Sequence, residues 1–147
     1  METLGVKTRA TTSYAGTLLL VLGMAIFFFQ NFKTVVVSGQ SMEPTFLNGR
    51  RLLASSAYWL IGNIRDNDIV VIRAEKGDEY VIKRVYRMGG ETVDWVNIPD
   101  DWPLTKGRFV VPDGKIYVLG DNRAVSEDSR RFGAVDVSRV LGKVVVR

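Results

Sequence analysis

Acyl transfer in this chain has to run without an imidazole. The 147 residues include no histidine and no cysteine, which excludes a Ser-His-Asp triad, a thiolate nucleophile and nearly every catalytic zinc site. The bases that remain are a carboxylate, the N-terminal amine, or a lysine kept neutral by burial. Three segments hold residues suited to such chemistry. In Ser38-Gly39-Gln40-Ser41-Met42-Glu43-Pro44-Thr45-Phe46, Gly39 and Pro44 bracket Ser41 in a backbone that is neither regular helix nor strand, the setting that exposes a nucleophilic hydroxyl on a turn. The same composition also makes an ordinary loop. In Tyr80-Val81-Ile82-Lys83-Arg84-Val85-Tyr86, a period of two puts Val81, Lys83 and Val85 on one strand face and Ile82, Arg84 and Tyr86 on the other. A lysine between two valines is desolvated, which penalises its ammonium form and lowers its pKa; alternatively its stem covers apolar surface while the head reaches water. The third segment, Gly120-Asp121-Asn122-Arg123-Ala124-Val125-Ser126-Glu127-Asp128-Ser129-Arg130-Arg131-Phe132-Gly133, reads as a polar loop built around an Asp/Arg contact, or as a solvated turn.

The elements that must position these segments fall into two kinds. Residues 14–32 carry no charge and are mostly Leu, Val, Ala, Ile and Phe, close to the length that spans a bilayer. Lys7 and Arg9 precede the stretch and only Lys33 closely follows it, so the positive-inside rule puts the N-terminus in the cytoplasm. A cleaved signal peptide and a buried core helix are the competing readings of such a stretch. Beyond Lys33 the texture changes to short β-branched runs at 34–37, 68–73, 80–86, 91–96, 108–111, 115–119 and 140–146, separated by Gly, Asn, Asp and Pro. These predict an all-β soluble domain with a possible short turn near 55–61. The residues 95–106, with Pro99 and Pro103, read as an edge loop. The net charge of +4 is spread among interleaved acidic residues, which argues against a nucleic-acid partner.

Together these segments resemble the type I signal peptidases (leader peptidases), the Ser/Lys serine proteases of family S26. SGQSMEPTF looks like the nucleophile box, DIVVIR at 68–73 like the next, YVIKRVYRMGGE like the lysine box and GDNRAVSEDSRRFG like the last, in that order behind an apolar N-terminal stretch. The resemblance implies a mainly β protein: a cytoplasmic N-terminus over 1–13, a transmembrane helix over 14–32, and an extracytoplasmic antiparallel β-sheet catalytic domain over 33–147. It implies a membrane-bound endopeptidase that removes signal peptides from exported preproteins, with no cofactor and no metal. By similarity Ser41 is the nucleophile and Lys83 the general base. Ser38 completes the oxyanion hole beside the Ser41 N–H, and Ser126 orients the lysine. Asp128, Arg130 and Asp121 give structural support. The implied substrate has small residues at the first and third positions before the cut, and shallow pockets of Val35, Val37, Met42, Phe46, Val81 and Ile82 would suit them. A dedicated maturation peptidase of the same fold and a non-catalytic membrane-tethered β module stand as alternatives. Two departures are visible: residues 88–115 leave room only for a hairpin and loop, and Arg87-Met88-Gly89-Gly90 stands where the lysine box commonly turns through Pro-Gly. The run Ala57-Tyr58-Trp59-Leu60-Ile61 reads either as a membrane-touching loop tip or as core.

Overall fold

The computed structural model describes residues 7–75 and 79–146. The chain divides into two compact units between Lys33 and Thr34. The first holds helix α1, Lys7–Asn31. Within it the 18 residues Tyr14–Asn31 are long and apolar enough to cross a membrane, and none of them is buried, which argues against the core-helix reading. Residues 1–6 of the expected cytoplasmic stretch lie outside the described residues.

The second unit is a mixed-order β-sheet. Seven strands, β1 Phe32–Val36, β2 Arg51–Ser55, β3 Ile69–Arg73, β4 Tyr80–Met88, β5 Lys115–Leu119, β6 Val135–Asp136 and β7 Val140–Val146, lie in the order β1-β2-β7-β3-β4-β5-β6. The pairings recorded from β2 through β6 are all antiparallel. Strand β3 is central, and its residues Ile69 through Ile72 are at most 2% exposed, because both faces of the sheet are covered. On one face Ile69, Val71 and Ile82 pack with Val37, Met42, Phe46, Leu52 and Ala54. On the other, Val70, Ile72 and Val85 pack with Ile116, Val118 and Val135. The alternation along β3 and β4 is the period of two expected of a strand.

Two strands escaped the sequence patterns. Strand β2 is Arg-Leu-Leu-Ala-Ser, poor in the β-branched residues that mark strands, and its pairing with β7 overrides that weak propensity. Strand β6 has only two residues. Conversely, the runs at 91–96 and 108–111 form no strand; they meet through one isolated bridge, Thr92 to Val110, flanked by Val93 N–H to Phe109 O (2.9 Å) and Val111 N–H to Glu91 O (2.9 Å). That short ladder lacks a neighbouring strand to extend it. Its inner side chains Val93, Phe109 and Val111 pack on Tyr117 and Leu119. The turn expected near 55–61 is the short helix α2, Tyr58–Ile61.

Candidate active site

The Ser41 turn is held at both ends and from below. Val37 N–H donates to Arg50 O at 2.9 Å and Gly49 N–H to Val37 O at 2.8 Å. Gly39, at φ +85°, donates its N–H to Asn48 Oδ1 at 3.0 Å; a side chain at that φ would strain the backbone. Met42 and Phe46, each 1% exposed, anchor the turn in the first core cluster. Ser41 is half-buried, and its carbonyl accepts from Asn122 N–H at 2.9 Å.

Lys83 occupies the middle of β4, with Val70 as its Cα partner on β3. Val81 and Val85 share its face and belong with the second cluster, and Lys83 itself is 4% exposed. Burial pushes its pKa below the ordinary lysine value, and the negative charges of Asp128 and Glu127 oppose that shift in part. Ser41 and Lys83 line one cavity of about 60 Å³, with Val36, Val37 and Ser38 on the β1 side and Tyr80, Val81 and Ile82 on β4.

The third segment closes over this pair through Gly120. A Cβ on Gly120 would lie 2.1 Å from Ser126 Oγ and 2.6 Å from the Ser41 carbonyl oxygen. Only a hydrogen fits between the two serines. Ser126 is 7% exposed, and its buried hydroxyl lies beside the Asp128 carboxylate, whose pKa it helps to lower.

Asp128, wholly buried, accepts from Gly120 N–H at 3.0 Å and takes a two-pronged contact from Arg130, Nε at 2.9 Å and a terminal nitrogen at 3.0 Å. Burial pushes its carboxyl up, but the Arg130 and Gly120 hydrogen bonds outweigh it and leave the group below the usual carboxylate range. Arg130 also donates to Arg123 O at 2.9 Å, and Ser129 Oγ accepts Val118 N–H at 2.9 Å, which ties the segment to β5. Asp121 forms a second such pair with Arg84, 2.8 and 2.7 Å.

Of the residues expected to bind substrate, the structure brings Val37, Val81 and Ile82 to the cavity. Val35, Met42 and Phe46 do not line it; Met42 and Phe46 face the core from beneath the turn. Val36 and Tyr80, which the patterns did not single out, line it instead. Gly120, Asn122 and Arg84 were also missed as positioning residues. For Arg84 the signal was present: it alternates with Lys83 on the strand, two charges facing opposite ways.

A serine and a desolvated lysine thus share one cavity on an antiparallel β domain, a pairing that can supply a hydroxyl and a base to one reaction. The family model "Signal peptidase, peptidase S26" matches residues 8–101 and 96–147. Signal peptidase I of Bacillus caldolyticus is 34% identical over 87% of this chain and 84% of its own length. Signal peptidase IB of Staphylococcus aureus is 33% identical over 76% and 74%. A crystal structure of signal peptidase I from Enterococcus faecalis, 26% identical, aligns with 56% of this chain and 97% of that one at a TM-score of 0.45. The chain belongs to the signal peptidase family, peptidase S26, a family of serine endopeptidases.

Proposed function

We propose that the protein is a single-pass membrane endopeptidase that removes signal peptides from exported preproteins through a Ser41/Lys83 dyad. The observation that carries this is the buried Lys83, its pKa lowered, in the same cavity as Ser41. A neutral amine accepts the Ser41 proton as the hydroxyl attacks the scissile carbonyl, and returns it to the leaving amine. The oxyanion is met by the Ser41 N–H and the Ser38 hydroxyl. Water activated by the same lysine hydrolyses the acyl-enzyme. In this reading the buried Ser126 hydroxyl holds the lysine nitrogen in place.

The sheet supports the way substrate would bind. Among the described residues β5 pairs with β4 only from Arg84 onward, which leaves the β5-side edge of residues 80–83 beside the cavity for an extended peptide to add as a strand. A cavity of about 60 Å³ suits a methyl-sized side chain, in keeping with small residues beside the cut. The apolar α1 anchors the enzyme, with the N-terminus cytoplasmic and residues 33–147 on the far side. Sharing a bilayer with the preprotein raises the effective concentration of each for the other.

The test is cleavage of a preprotein by the detergent-solubilised chain across pH. Only neutral Lys83 is competent, so kcat/KM is expected to rise as pH increases through the folded lysine pKa and to level off above it. Asp128 and Asp121, both held below the usual carboxylate range, stay ionised through that window, so the limb reads the lysine. A flat profile, or the same limb in a residually active Lys83→Met variant, would assign the base elsewhere.

The catalytic domain is also proposed to touch the membrane through α2. Ala57 is buried, whereas Trp59 is 76% and Leu60 56% exposed, which sets aside the core reading for these two. Exchanging both for serine is expected to weaken vesicle binding of residues 34–147 by about tenfold while leaving thermal stability unchanged. Unchanged binding, or unfolding, would remove the membrane role.

A further inference from the structure

Val81 is a wall between two concavities. On one side it lines the cavity that holds Ser41 and Lys83; on the other it belongs to a concavity of about 340 Å³. The floor of the second is apolar, made by Ile72, Val81 and Val135 with Phe132, whose ring is 44% exposed. Three exposed carboxylates stand around it: Glu75 and Glu79 on the approach to β4, and Glu127 beside Ser126. Among the described residues one cation, Arg139, lines it too; it keeps its charge, but its guanidinium is held at the Arg73 carbonyl by two hydrogen bonds of 3.2 and 2.8 Å, leaving three carboxylates against one cation. Glu127 makes a loose ion pair with Arg131, 3.8 Å.

An apolar floor beneath an acidic rim matches one class of side chain, a long aliphatic stem ending in a cation. The occupant follows from continuity. A peptide added along the free edge at residues 80–83 advances about 3.3 Å per residue, and beyond Tyr80 it passes Glu79 and this concavity. We infer that the concavity is a subsite for a lysine or arginine of the preprotein, on the flank of the cut that runs past Tyr80. The stem lies on Val81 and Phe132 and the head sits among the carboxylates. The subsite rests on the peptidase reading above and adds a charge preference to it.

The experiment uses the full chain in detergent and a set of peptides spanning a cleavage site, identical except for a single Gln→Lys exchange moved along both flanks. On one flank, a lysine several residues from the cut is expected to raise kcat/KM about fivefold, through KM and not kcat. The gain shrinks as NaCl is raised and falls to about onefold in a Glu75→Gln, Glu79→Gln double variant. Equal rates for all peptides, a gain insensitive to salt, or a gain that survives in the double variant would overturn the subsite while leaving the peptidase intact. Failure to cut any peptide, the unsubstituted one included, would overturn both.

Discussion

Ser41→Ala and Lys83→Ala are each expected to lower preprotein cleavage by on the order of 10⁴-fold, and the double variant to be no worse than either single one, because nucleophile and base act as a unit. Both changes leave the fold in place. Ser41 is half-buried on a turn whose anchors are Met42 and Phe46, and Lys83→Ala removes a buried amine from an apolar face. Lys83→Arg should not restore turnover, since a guanidinium stays charged and cannot accept the proton. Single-turnover cleavage with a thermal melt of each variant checks this. Near-normal turnover by the arginine variant would end the Lys83 assignment.

Gly120→Ala is the second large effect, and it arrives without touching either dyad residue's side chain. The new methyl would sit 2.1 Å from Ser126 Oγ, 2.5 Å from Ser126 Cβ and 2.6 Å from the Ser41 carbonyl oxygen, distances at which neighbours must move. Overpacking of a tight site costs about 1–3 kcal/mol, and here the displaced atoms belong to the Ser41 backbone and to the serine proposed to orient the lysine. We expect a melting temperature lowered by several degrees and turnover lowered by about 100-fold or more, since small misplacement of reacting groups is costly. By contrast, Gly39→Ala meets no atom within 4 Å, and its cost comes from φ alone. If Gly120→Ala kept full turnover, the apposition of the final segment with the Ser41 turn would have no catalytic consequence.

The β texture, the apolar N-terminal helix and the alternating faces of β4 were legible in the sequence because each is a local pattern with a fixed period. The two valines put Lys83 on an apolar face but left open whether its head reaches water; the structure buries it. The signals failed where structure depends on distant partners. Arg51 through Ser55 form a strand only because β7 lies beside them, and the hairpin at 91–111 lacks a neighbour to make it one. The residues lining the cavity were legible in part for the same reason: Met42 and Phe46 look suited to a pocket, but as the apolar members of a turn they are drawn beneath it into the core. Val36 and Tyr80 reach the cavity instead. Gly120 could not be singled out among the glycines, since its role comes from two side-by-side segments about 80 residues apart.

Lys83 and Arg84 are consecutive on β4 and serve opposite faces, one lining the cavity with Ser41 and the other gripping Asp121 at 2.7 Å. A strand that slipped by one residue against β3 would put Arg84 in the place of Lys83 and Val85 in the place of Arg84, delivering to Ser41 a cation that never releases its proton and leaving Asp121 without its partner. Mispaired molecules are thereby chemically silent. The Ser41 hydroxyl meets an amine only in the register that also completes the sheet.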